Sequence, residues 1–332
     1  MKKTLIPLVP FAIAVALTGT AKAQTSITAY GIVDVGIVSE RGGPAGSVTK
    51  LTSGVQSGSR LGFRGTEDLG GGLSAKFVLE TGIAVDTGGF NQGNTAFARQ
   101  SWAGLNGDFG SITLGRQYTP HYLVLTTVDP FGAGLAGDSQ NLVASPTRMN
   151  NTIIYATPDL AGFSADLAYG FGEVAGNTHA NRQIGASIGY ATGPLYVRLG
   201  HHRTEDALAA YTAKNTILGA TYDFKVVKAS FAYSRSTGFA TIDSRDWLAG
   251  VSVPFGPSTL MASYIRKDDK SAANQDANQL AIGYSYALSK RTNLYTSYAR
   301  IDNKNGAAFT VGSAIETGSG DKAFNVGVRH VF

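Results

Sequence analysis

The chain has 332 residues, with 42 Gly, 15 Tyr, 16 Phe, only 2 Trp and no Cys. The missing cysteines exclude disulfides, thiolate catalysis and Cys-ligated zinc. The formal charge of +5 comes from 28 Lys and Arg against 23 Asp and Glu, but three lysines fall in the N-terminal segment described next, leaving 25 against 23, and no basic stripe supports nucleic acid as a partner.

The first element in chain order is a leader. Lys2 and Lys3 precede an apolar run over 5–17 that contains Pro7 and Pro10, and Ala21-Lys22-Ala23 reads as a small-x-small cleavage site. This pattern predicts a secretory signal peptide over 1–23, a mature start at Gln24 and a single domain over 24–332. Beyond the leader no apolar run approaches the ~18 residues of a membrane-spanning helix.

From there the chain reads as strands. Alternating runs between turn signals predict sixteen: 26–38, 57–67, 73–84, 95–106, 109–118, 148–157, 162–171, 181–192, 194–204, 213–224, 227–238, 243–254, 258–268, 276–288, 291–303 and 321–332. Most are near the length that a tilted strand needs to cross a bilayer. Short connections (68–72, 107–108, 158–161, 193, 225–226, 255–257, 289–290) alternate with longer ones, chiefly 39–56, 119–147 and 304–320. An even strand count, with short turns on one rim and long loops on the other, is the outer-membrane pattern, with the short rim periplasmic. Glycine-rich strands with many Tyr and Phe suit such a barrel and its aromatic girdles.

The faces of individual strands agree. Leu61 and Phe63 share one face while Arg60 and Arg64 share the other; Ala75, Phe77 and Leu79 alternate with Lys76, Val78 and Glu80. A Lys or Arg facing lipid at mid-depth costs about 2–4 kcal/mol, so Arg60, Arg64 and Lys76 are expected to point into a watery lumen. The last ten residues alternate Phe324, Val326, Val328, His330 and Phe332 against Ala323, Asn325, Gly327, Arg329 and Val331. This is expected to be the closing strand, paired with 26–38, with Phe332 near Gln24.

Several stretches resemble the general diffusion porins of Gram-negative bacteria, close to the beta-proteobacterial group: 27–36 (ITAYGIVDVG), 58–70 (GSRLGFRGTEDLG), 99–105 (RQSWAGL), 109–118 (FGSITLGRQY), 148–155 (RMNNTIIY) and the terminal Phe332. The resemblance implies an all-β fold, a 16-stranded antiparallel transmembrane β-barrel with an inward-folded third loop. It also implies a homotrimer in the outer membrane, in contact with outer-membrane lipid and lipopolysaccharide. The terminal Phe332 resembles the signal read by the barrel-assembly machinery. The family's third loop carries Pro-Glu-Phe-Gly, where this chain has Asp129-Pro130-Phe131-Gly132. Asp129 and Asp138 are therefore the candidate acids of the constriction. The arginines that the family places opposite that loop fall on Arg60, Arg99 and Arg148, with Arg64 on the face of Arg60. Arg116 matches the Gly-Arg-Gln-Tyr text, but its parity with Ile112 and Leu114 aims it outward.

Other constellations carry less. Gly132-x-Gly134-x-x-Gly137 spells a dinucleotide fingerprint without the strand and helix that it needs. His121, His179, His201, His202 and His330 show no metal spacing. Glu67-Asp68 and Asp268-Asp269 fit solvated strand ends better than catalytic pairs. No motif supports a Ser-His barrel hydrolase. The expectation is a passive channel for small hydrophilic solutes and ions, without cofactor, weakly anion-selective because the basic candidates outnumber Asp129 and Asp138. The alternatives are a substrate-specific porin, an outer-membrane barrel hydrolase and a surface adhesin.

Overall fold

The computed structural model describes residues 26–93, 95–239 and 241–332; the expected leader and Gln24 lie outside them. The strands, in chain order, are β1 (Ser26–Gly43), β2 (Gly46–Ser53), β3 (Arg60–Gly70), β4 (Leu73–Gly82), β5 (Gln100–Gly107), β6 (Gly110–Tyr118), β7 (Arg148–Ala156), β8 (Phe163–Gly170), β9 (Gln183–Thr192), β10 (Leu195–Glu205), β11 (Thr212–Asp223), β12 (Lys228–Gly238), β13 (Ile242–Phe255), β14 (Ser258–Asp269), β15 (Ala277–Ala287), β16 (Thr292–Asn303) and β17 (Lys322–Val331). One helix, α1 (Pro120–Val128), lies in the connection 119–147.

Every strand pairs antiparallel with its neighbours, and β17 returns to β1 with Ile32 opposite Val331 and Arg41 opposite Lys322. The result is a closed 16-strand barrel. Seventeen elements make sixteen wall strands because β2 and β3 both pair with β1, one above the other, and are separated only by a break at 54–59. The segment 39–56, expected as a long loop, is therefore mostly a hairpin that extends β1 and β2. Closure of β17 on β1 leaves the wall without an open end. Phe332 exchanges backbone hydrogen bonds with Gly31, both 3.1 Å, so β1 runs on for five more described residues beyond it, along β3. The approach of Phe332 to Gln24 involves a residue outside the described set; its observed partner is Gly31.

Alternation decides the faces. On β15, Leu280 is 61% exposed and Ile282 58%, while the alternating Gln279 and Ala281 are 0% and 1% exposed. Apolar residues thus cover the outside, and small or polar ones line the inside, the reverse of a soluble domain. The β3–β4 turn is made by Gly70, Gly71 and Gly72, with φ of +84°, +60° and +80°, three successive left-handed positions that residues with a Cβ adopt only with strain.

The interior is filled on one side by the connection 119–147. Thr119 caps α1, its hydroxyl accepting from the Tyr122 N–H at 3.0 Å, and Pro120 occupies the first turn, where a missing N–H costs nothing. The sequence pattern alone shows only a loop here. Val124, Leu125 and Val128 of α1, with Phe131, Leu135 and Leu142, form a buried cluster with Ile217, Leu248, Ile265 and Tyr295 of the wall. Glycines make room for it: a Cβ on Gly219 would lie 2.7 Å from Val128, one on Gly250 2.4 Å from Pro130, and one on Gly283 2.7 Å from Phe131. The loop tip is tied down by Ala136 N–H to Ser297 Oγ at 3.0 Å and by Gln279 Nε2 to the Gly137 carbonyl at 3.2 Å.

Candidate pore constriction

With the loop held against β9 to β16, the remaining passage runs along β3 to β7. A cavity of about 720 Å³ lies there, bounded by 54–59, the loop 119–147, Arg60, Arg99, Arg148 and the connection 304–321. That last connection also folds inward. Gly312 N–H donates to Asn141 Oδ1 at 2.9 Å, and the Val55 carbonyl accepts from both Leu135 (2.7 Å) and Ala314 (3.4 Å). The break between β2 and β3 is therefore a joint on which both inward loops rest. Asp34 holds the joint: its buried carboxylate accepts from the N–H groups of Gln56 (2.9 Å) and Ser57 (2.6 Å) and from the Tyr295 hydroxyl (2.6 Å).

Arg60, Arg99 and Arg148 come together on the opposite wall. Arg99 Nε donates to Glu80 Oε1 at 2.8 Å and its Nη2 to the Tyr118 hydroxyl at 2.7 Å. Arg148 Nη2 donates to the same hydroxyl at 3.0 Å, and its guanidinium lies 4.6 Å from the Tyr118 ring centre. Arg60 Nη1 stands 4.0 Å from Glu80 and its Nε donates to the Gly58 carbonyl. Two guanidinium groups, those of Arg60 and Arg99, thus face one carboxylate, which also accepts from Tyr30 at 3.0 Å, and Arg148 joins them through the shared Tyr118 hydroxyl. Tyr118 stacks on Tyr122 of α1, ring centres 5.4 Å apart and 18° from parallel, and so links the wall to the loop.

Arg64, Lys76 and Arg116 lie outside this cluster, and Arg99 joins it from a position before its strand. Arg64 and Lys76 face the lumen nearer the short-turn rim, with Arg64 5.1 Å from the Tyr30 ring. Arg99 lies just before β5, which begins at Gln100 rather than 95; freed from strand alternation, its side chain turns inward. Arg116 donates to the Ala98 carbonyl and to Asn150 Oδ1 and stays outside the cluster. Tyr118, two residues on at the end of β6, reaches the cavity just past the β6–β7 register shift between Gly115 and Gln117. Gly115, at φ +132°, was the available signal, since glycine inside a strand pattern often marks a bulge.

The two loop acids require correction. Asp129 does not line the cavity: its carboxylate accepts from the N–H groups of Phe131 (2.9 Å), Ala133 (3.0 Å) and Ser139 (2.9 Å). Asp138 borders the cavity but is only 4% exposed, and it caps the turn by accepting from Gln140 N–H at 2.8 Å. Burial raises both carboxyl groups above the usual range; burial and the neighbouring Asp129 push Asp138 up to about 8. Loop carboxylates with no solvated partner find the loop's own N–H groups. A missed acid is Glu316, which reaches the cavity from 304–321 while bonded to Lys50 and Thr52.

The Gram-negative porin family model matches residues 11–306. The chain belongs to the Gram-negative porin family. This porin is 36% identical to outer membrane porin protein 32 of Delftia acidovorans and 32% identical to an outer membrane porin protein of Bordetella pertussis; each match covers 100% of both chains. Its fold superposes on a solved anion-selective porin from Comamonas acidovorans with a TM-score of 0.82 at 34% identity, covering 93% of this chain and 100% of that one. The protein is a passive diffusion channel of the outer membrane. In this porin the lumen is narrowed by two inward loops against an arginine-bearing wall.

Proposed function

We propose that this porin, freed of residues 1–23, is a homotrimer that passes small hydrophilic solutes and ions with a weak preference for anions. One observation carries the reading. Arg60, Arg99 and Arg148 border the cavity opposite a loop whose acids, Asp129 and Asp138, are turned into its own backbone. The facing carboxylate, Glu80, is already paired. A passing anion therefore meets a surplus of positive charge at the narrowest point, and Arg64 and Lys76 extend the field toward the periplasmic side. The anion selectivity named for the Comamonas acidovorans porin agrees. Phe332, half-exposed on the outer face at the periplasmic rim, is the feature we assign to the barrel-assembly machinery.

The test is the zero-current potential in a salt gradient across a planar bilayer. The combined Arg60→Ser and Arg99→Ser variant should move it toward cations, because two positive charges go and Glu80 loses its partner. An unmoved potential would take these residues out of the constriction. Closure in three equal conductance steps would support the trimer, and single-step closure would oppose it.

A further inference from the structure

Directly below the arginine cluster, on the short-turn side, one level of the lumen wall combines an indole, an aliphatic floor and two cations. The register fixes it. Glu80 stands opposite Gln100; one lumen position on, about 7 Å toward the short turns, Val78 lies between Arg64 on β3 and Trp102 on β5. Lys76 and Thr66, opposite each other, follow at the next position. Arg64, Lys76, Val78 and Trp102, with Thr28 of β1, line a cavity of about 350 Å³.

Three features set this level apart from a merely wet wall. First, Trp102 is half-buried, and among the described residues no other aromatic ring stacks on it. Its Nε1–H donates to Gln100 Oε1 at 3.2 Å, which holds the indole by its edge. Trp102 stands opposite Gly115 and Lys76 opposite Gly104, so no side chain from those two positions covers the ring. Second, Arg64 is exposed and Lys76 half-buried, and among the described residues neither makes an ion pair. Asp68, nearer the turn, accepts from Gly70 N–H at 2.9 Å instead. Arg64 rests 5.1 Å from the Tyr30 ring, which lies across Gly62; a Cβ there would meet that ring at 2.5 Å. Third, Val78 is aliphatic on a face that barrels of this kind make polar.

Chloride needs only the charges. An aromatic ring, in contrast, stacks on an indole in offset geometry and gains beyond the area that it buries. Adjacent strands lie about 4.8 Å apart, so Arg64 and Trp102 start about 10 Å apart with Val78 between them. A flat ring laid on Val78 and Trp102 directs a carboxylate at the Arg64 guanidinium, which holds carboxylates through two parallel N–H bonds. Lys76 approaches from the adjoining position. We propose that this level is a binding subsite for aromatic monocarboxylates, with the ring on Trp102 and Val78 and the carboxylate on Arg64 and Lys76. The proposal rests on the anion-channel reading and deepens it, by naming a class of solute that the lumen retains.

The test is block of chloride current through the full-length porin in a planar bilayer by benzoate or by cyclohexanecarboxylate, two acids of equal charge and similar size. Of the two, benzoate alone has a ring that stacks. In wild type, benzoate should reach half-block at about fivefold lower concentration, the fold-change of one aromatic pair. Trp102→Leu should bring the two acids together, and Trp102→Phe should keep most of the difference. Lys76→Gln should raise both half-blocking concentrations. Equal block of wild type by the two acids, a result that needs no variant, would overturn the proposal. So would a difference that persists in Trp102→Leu, or half-blocking concentrations unmoved by Lys76→Gln. Fluorescence locates the ligand, because Trp247→Phe leaves Trp102 as the sole tryptophan. Its quenching by 4-nitrobenzoate should saturate; quenching no stronger than that by neutral 4-nitrobenzyl alcohol would also overturn the proposal. Potassium preference of wild type in potassium chloride alone would be a failure of the anion reading, separate from the ratio between two equally charged acids.

Discussion

Gly219→Ala should narrow the pore. The new Cβ would lie 2.7 Å from Val128 Cγ1 and 2.9 Å from Val124 Cγ1, where carbon atoms prefer about 3.5–4 Å. Both crowded atoms belong to α1 rather than to the barrel. The wall is held by hydrogen bonds to two neighbours, so the helix yields, by about 1 Å toward the lumen. A nine-residue helix is ~13 Å long and ~10 Å across. Its shift would sweep roughly 130 Å³, about a fifth of the 720 Å³ cavity that Tyr122, Leu123 and Thr126 of the same helix line. Single-channel conductance should fall by about a fifth, and Val128→Ala in the same chain should restore most of it by removing the crowded methyl groups. Far-UV circular dichroism and heat-resistant electrophoretic mobility would check that the barrel is intact. An unchanged conductance, or a fall that Val128→Ala does not relieve, would mean that α1 is not packed on β11 as described.

Three further outcomes follow from the same geometry. Asp34→Asn weakens the charge-assisted hold on Gln56 and Ser57, worth about 1.5–3 kcal/mol for each such bond; open-channel current noise should rise, and quiet traces would remove Asp34 from the support of the two inward loops. Burial places the Asp138 carboxyl at about 8, above its unfolded value; its contribution to loop stability is therefore full below the ordinary carboxylate range and lost as pH rises through about 8. Anion preference should accordingly decline between about pH 7 and about pH 9 as Asp138 ionises, with no such decline in Asp138→Asn; matching pH profiles would refute the assignment. Phe332→Ser should reduce outer-membrane yield in cells far more than it reduces the conductance of protein refolded in detergent, and equal losses in both would indicate plain destabilisation of the β1–β17 seam.

The barrel was legible because its physics is periodic. Alternation placed Arg60, Arg64 and Lys76 on the lumen side and Phe63 outside, and the closing strand was readable from residues 323–332. Errors arose where periodicity stops or shifts. Residues 39–56 are polar and contain glycines, so they read as a loop, although cross-strand bonds carry β1 and β2 above the wall. Arg99 escapes parity because β5 starts one residue later. The register shift between Gly115 and Gln117 accompanies the arrival of Tyr118, to which no role was assigned, at the cavity, while Arg116 stays outside as its parity implied. The orientation of Asp129 and Asp138 depends on which N–H groups the folded loop leaves unpaired, and no local pattern encodes that. The path of the loop along the wall did leave a trace, in inward glycines at 219, 250 and 283, but its meaning emerges only when the strands are in register.

The most direct test of the constriction is the zero-current potential of wild-type porin in a potassium chloride gradient, measured at low and at high mean salt. The arginine wall predicts chloride preference around ~0.1 M, where fields reach about 10 Å, and near-equal permeability around ~1 M, where they reach about 3 Å. Potassium preference at low salt, or a chloride preference unaffected by salt, would contradict the account of Arg60, Arg99 and Arg148 as the charges that a passing ion meets.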